Sequence, residues 1–112
     1  MMKMGKVRLM MNIGEMAIFQ GNRISILEII VKNIDNQIEL SWKIYFENVV
    51  YQITFFNVSR LRIGEVSTPL EIRGFEIINH SQNGWEQDSA YEIRDFEDDR
   101  INFFCEYFKV DE

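Results

Sequence analysis

Hydrophobic and polar residues alternate with period two along much of this chain, the pattern of a β-strand with one face in a core and one in water. Ile38, Leu40, Trp42, Ile44 and Phe46 alternate with Glu39, Ser41, Lys43, Tyr45 and Glu47. An earlier strand holds Ile24, Ile26 and the run Leu27 to Val31, dense enough in apolar residues to suggest cover on both faces. Asp35-Asn36-Gln37 lies between them as a tight turn, so the two strands read as a hairpin. Gly21-Asn22 reads as another turn, leading back to a short strand around Met16 to Gln20.

The next strand starts at Val49 and carries Tyr51, Ile53 and Phe55 inward. A change of parity in its inward set is expected before Leu61 and Ile63, with a bulge or bend near Asn57 to Arg60, because a one-residue slip exchanges the two faces. Ser67-Thr68-Pro69 breaks the ladder and fits a turn or a single helical turn. The β-branched bias of Ile72 and Ile77-Ile78 then predicts a strand over Glu71 to Asn79, with Gly74 at a bulge. After a polar loop from His80 to Gly84 come a strand with Tyr91 and Ile93, a turn around Glu97-Asp98-Asp99, and a last strand from Arg100. Ile101, Phe103, Cys105 and Tyr107 share one face of that strand, and Phe104, Phe108 and Val110 the other. No segment longer than one turn has a helical period. The expected fold is a single all-β domain over residues 1–112, an antiparallel sandwich or flattened barrel of seven or eight strands, with residues 1–12 as a loosely ordered N-terminal segment.

Composition narrows the class. The chain is long enough for one core, and 46% hydrophobic residues suffice to offset chain entropy. The single cysteine, Cys105, cannot form an internal disulfide, and no apolar run suits a signal peptide or a membrane span. The expected setting is the cytoplasm. Charge is uneven within the net −6: residues 1–85 hold nine Lys/Arg and eight Asp/Glu, whereas residues 86–112 hold three and ten, a local net of −7. Such a field repels phosphate backbones and attracts a basic protein or a cation, so nucleic acid and membrane are not expected partners.

Candidate chemistry is sparse. Glu92, Asp95, Glu97, Asp98 and Asp99 form an acidic hairpin. Several converging carboxylates could hold a hard cation, but the spacing lacks the glycine and distal glutamate of a calcium loop, and a solvated turn that keeps strand edges apart is favoured. Carboxylates projecting outward from a tight turn also make a poor acid–base pair. Cys105 alternates with Phe103 and Tyr107, which aims it at the core rather than at His80, and no second histidine or CxxC spacing offers a metal site. The glycines at 5, 14, 21, 64, 74 and 84 build no phosphate loop. Trp85, directly after Asn83-Gly84, reads as a core anchor or an exposed contact residue, the former favoured. Neither a metal nor a cofactor is expected.

The segments VYQITFFNVSRLRIG, GFEII and YEIRDFEDDRINFFCEYF resemble small all-β proteins of bacteria, some of them classed as immunity proteins of polymorphic-toxin systems. The resemblance covers residues 24–110 as a pattern of strands, a tryptophan and an acidic hairpin, and assigns no functional residue. It implies a non-catalytic cytoplasmic binder that blocks a toxin. Trp85, Glu92, Asp95, Glu97, Asp98 and Asp99 are then the expected partner-binding residues. Two alternatives stand beside it: a β-barrel binding a small molecule or cation, and a structural subunit that self-associates through its strand edges.

Overall fold

In the computed structural model, Phe19 and residues 21–64, 69–80 and 90–111 are described. The expectations for residues 1–12, for a strand at Met16 to Gln20, for the Ser67-Thr68 break and for Trp85 fall wholly or largely outside these residues. The described chain contains no α-helix and forms eight strands: β1 (Ile24–Ile34), β2 (Gln37–Phe46), β3 (Val49–Ile63), β4 (Leu70–Ile72), β5 (Phe75–Asn79), β6 (Tyr91–Asp95), β7 (Ile101–Cys105) and β8 (Tyr107–Asp111). They make one antiparallel sheet in the order β4-β1-β2-β3-β7-β6-β5, with β8 also paired to β3. The all-β antiparallel expectation holds.

Turn chemistry sets the register. Asp35 and Asn36 join β1 to β2 with φ of 52° and 65°, and Glu47 and Asn48 join β2 to β3 with φ of 51° and 68°. Two successive positive φ values define the two-residue turn whose twist matches a hairpin, and Asn and Asp tolerate that region best. The second turn has no Asn-Gly signature; Tyr45 donates its hydroxyl to Asn48 Oδ1 at 2.8 Å across it.

β3 bends at the expected place, but twice. The partners of Ile38 and Leu40 are Val58 and Phe55, and those of Asn102 and Phe104 are Arg62 and Ser59, so β3 carries one extra residue at each slip. Asn57 and Arg60 take φ of 54° and 53° there. Val58 therefore points inward, and Leu61 returns to the parity of Phe55, so the expected lasting change of parity is corrected to two slips that cancel. The bends let one strand pair with β2 and β8 in its first half and with β7 in its second.

Two other expectations are corrected. The single strand over Glu71 to Asn79 is two strands, β4 against β1 and β5 against β6. Gly74 lies at the crossover between them rather than at a bulge. The last strand breaks at Glu106, whose N–H donates to the Phe56 carbonyl at 3.0 Å and whose carboxylate accepts from Asn57 Nδ2 at 3.2 Å. Inward parity switches at this break: Tyr107 is exposed and stacks on Phe56, while Phe108 and Val110 join the same core as Phe103 and Cys105.

The two ends of the strand order meet. Arg73-Gly74 links β4 directly to β5, and Gly21 N–H, just before β1, donates to the Phe75 carbonyl at 2.7 Å. Gly21 has φ +73°, which glycine adopts without strain. The sheet thus rolls up around Trp42, Phe55, Phe75, Phe103 and Phe108, all fully buried.

Cys105 is buried, as its alternation predicted. Burial pushes its thiol well above the ordinary range, and the neighbouring Glu106 carboxylate adds to the shift. In the native protein a thiol-specific disulfide reagent at about pH 8 is expected to leave Cys105 unreacted over minutes and to titrate one thiol after unfolding in urea. Native reaction at the rate of a free cysteine would contradict the buried placement.

Candidate functional site

The β6–β7 turn collects most of the carboxylates singled out in the sequence. Asp95 ends β6 and is fully buried, contrary to the expectation that every charge of this turn projects into water. Its backbone carbonyl accepts from Asp99 N–H at 2.8 Å, and its carboxylate accepts from the N–H groups of Asp98 at 3.2 Å and Arg100 at 3.4 Å. One aspartate side chain thus satisfies amide donors that the turn would otherwise leave unpaired. Arg100 Nε lies 3.5 Å from Asp95 Oδ2 and supplies the countercharge.

Asp98 and Asp99 also face arginines. Arg73 reaches Asp98 Oδ1 at 2.9 Å, and Arg100 reaches Asp98 Oδ2 at 3.3 Å. Arg62 of β3 reaches Asp99 Oδ1 at 3.4 Å. The Arg73 guanidinium is held above its ordinary value, first by the hydrogen bond to Asp98 and then by that carboxylate's charge. Arg100 also donates to the Glu71 carbonyl, tying the turn to β4. Glu97 takes part in none of these ion pairs, and Phe96 beside it is 54% exposed.

Gly74 sets how closely this turn approaches the sheet. Its carbonyl accepts from Phe96 N–H at 3.0 Å, and a Cβ on it would stand 2.6 Å from both Phe96 Cε1 and Glu97 Cγ. Any larger residue would push the Phe96-Glu97 tip outward.

Glu92 belongs to a different surface. It lies in the middle of β6 and accepts from His80 Nε2 at 3.0 Å and from Asn102 Nδ2 at 3.4 Å, with Arg94 Nη1 at 4.0 Å. Arg94 is itself fixed by Glu76 at 2.7 Å and is raised above its ordinary value chiefly by that hydrogen bond. The result is a cross-strand polar ladder over β5, β6 and β7, the usual way a sheet stabilises its solvent face. His80 is part of this ladder and half-buried against Glu92, not a free loop residue.

The structure therefore brings Asp95, Glu97, Asp98 and Asp99 together and leaves Glu92 on the ladder; Trp85 lies outside the described residues. The residues that sequence reasoning missed are Arg62, Arg73 and Arg100. Only Arg100, next to Asp99, left a local signal, because the other two reach the turn through strand pairing. Among the described residues no three or more His, Cys, Asp or Glu side chains converge as a metal site, and no helix there is long and apolar enough to cross a membrane. Comparisons with protein-family models, with curated proteins and with solved structures returned no match.

Proposed function

We propose that this chain is a non-catalytic protein-binding domain, of the kind that neutralises a toxin by covering it. The observation that carries this reading is the use made of the interior. Rings from β2, β3, β5 and β7 meet edge to face around Trp42, with Trp42–Phe55 centroids 4.9 Å apart, Trp42–Phe103 5.8 Å, Trp42–Phe75 6.2 Å and Phe55–Phe103 4.8 Å. A ligand-binding barrel keeps its lumen open, whereas here the central volume goes to ring packing, which leaves recognition to the outer surface.

The favoured contact is the tip of the β6–β7 turn. Exposed Phe96 is an aromatic anchor, and Glu97, Asp98 and Asp99 form a polar rim around it. A basic protein fits the excess negative charge of residues 86–112. Because Arg62, Arg73 and Arg100 already face the turn's carboxylates, binding leans on Phe96 more than on net charge, and salt weakens it less than a −7 segment would suggest.

Zero-length carbodiimide cross-linking of the full chain in extracts of its source cell tests the reading. The expected result is one basic protein joined through Glu97 to its lysines, with at least tenfold less adduct for Phe96→Ser and Glu97→Lys. Equal yield of that adduct from Phe96→Ser would remove the turn as the contact surface. A small molecule retained by the purified chain in native mass spectrometry, with no protein adduct, would favour the ligand-binding alternative.

A further inference from the structure

Among the described residues, β1 has a partner on one side only beyond Ile26. β4 pairs with Ile24 to Ile26 and ends there, while β2 continues alongside as far as Ile34. Among the described residues, the other edge of residues 27–34 meets no strand. The apolar side chains along it lie open: Leu27 is 39% exposed, Ile30 41%, Val31 52% and Ile34 47%. This is the run whose apolar density predicted cover on both faces, and the described residues do not supply that cover.

The edge is also prepared for hydrogen bonding. The two-residue Asp35-Asn36 turn makes Ile34 and Gln37 a hydrogen-bonded pair, so alternation leaves the N–H and C=O groups of Ile29, Val31 and Asn33 aimed away from β2. No proline interrupts the stretch.

We propose that a second copy of this chain pairs antiparallel with the open edge of β1, about a two-fold axis through Ile30. Charge complementarity within the strand selects the occupant and the register. Ile29 and Val31 lie on the face of Trp42 and Leu40, and Glu28, Ile30 and Lys32 lie on the opposite face, set by their partners Lys43, Ser41 and Glu39. A two-fold axis normal to the sheet keeps each face on its own side only when paired residues share parity. Centred on Ile30, it sets Glu28 opposite Lys32 twice, Ile30 opposite Ile30, and Ile29 opposite Val31 twice. Moving the axis to Ile29 puts Glu28 against Ile30, and moving it to Val31 puts Lys32 against Ile30. Edge strands that avoid association carry charges that oppose a second copy; here the centred register turns both charges into partners. The contact is isologous and closes as a dimer. It uses a surface separate from the β6–β7 turn, so either can fail without the other.

Sedimentation equilibrium of the full chain over micromolar concentrations tests this. Wild type is expected to be a dimer. Glu28→Lys and Lys32→Glu each place like charges opposite one another twice and are expected to weaken dimerisation about tenfold or more. Because Glu28 also meets Lys43 at 3.8 Å and Lys32 faces Glu39 within the chain, the rescue reverses all four, Glu28→Lys/Lys32→Glu/Glu39→Lys/Lys43→Glu; this variant restores the pairing both within and between copies and is expected to recover wild-type association, a result that a folding defect cannot imitate. Hydrogen exchange at the amides of Ile29, Val31 and Asn33 is expected to slow as concentration rises. A monomer at about 100 μM, a dwell in the range where weak edge contacts already associate, overturns the proposal. So does a dimer indifferent to the single reversals. A monomer with those amides protected at every concentration would assign the edge to residues 1–18 of the same chain and would overturn it as well.

Discussion

Replacing Asp95 with alanine is expected to lower the stability of the domain by about 2–4 kcal/mol, chiefly because two backbone amides lose their buried acceptor. The side chain is fully buried, accepts from two backbone amides and faces Arg100. Its loss leaves those amides without their acceptor, while Arg100, partly exposed, keeps its pair with Asp98. Asp95→Asn keeps the shape and an acceptor oxygen but not the charge, and should fall between alanine and wild type. Asp98→Asn and Asp99→Asn remove exposed pairs with Arg73 and Arg62 and are expected to cost no more than about 1 kcal/mol each. Urea unfolding of the series measures all of these. An Asp95→Ala protein within about 1 kcal/mol of wild type would show that the turn does not depend on this carboxylate.

That ordering separates two roles which the sequence presents as one. Five carboxylates close together read as an acidic surface. In the folded chain Asp95 builds the turn, Glu92 stabilises a sheet face, and Asp98 and Asp99 are paired to arginines from elsewhere in the chain. Arg62 and Arg73 precede the turn by some 25 to 37 positions. No local pattern could have joined them to it, because their reach depends on which strands are neighbours and in what register. The net charge of the segment is the same in both readings, but the field a partner meets is not.

What was legible follows the same division. Alternation marked β2 and its buried face correctly, since a half-buried strand writes its geometry into every second residue. The Asp35-Asn36 turn and the bend near Asn57 to Arg60 were also visible, one through turn residues and the other through an interrupted pattern. Three features were not. β4 and β5 look like one strand because Gly74 permits a crossover without any break in apolar content. The slip at Glu106 is hidden by Phe and Tyr, which suit either face. The open half of β1 reads as a core strand because sequence pattern reports apolar density, not whether the chain itself supplies the cover.

Trp42 is where pattern and packing agree most fully, and replacing it with alanine is expected to cost about 3–5 kcal/mol. It is fully buried in β2, and its ring meets those of Phe55, Phe75 and Phe103, so it joins strands that are distant in the sheet order. Truncation would remove edge-to-face contacts from all three rings and leave a cavity that the rolled sheet cannot readily collapse. Trp42→Phe discriminates between the two parts of the side chain. Among the described residues the buried indole N–H meets no hydrogen-bond acceptor, so deleting it is expected to forfeit no bond. Phenylalanine should therefore cost much less than alanine, about 1–2 kcal/mol, mainly from lost volume. Thermal or urea unfolding, followed by circular dichroism because the fluorophore changes, reads both variants. Equal losses for phenylalanine and alanine would mean that the full indole, and not an aromatic ring as such, holds the core in place. A retained phenylalanine variant would place much of the stability of the fold in the aromatic cluster, leaving the exposed Phe96-Glu97 tip and the β1 edge free to change with whatever they bind.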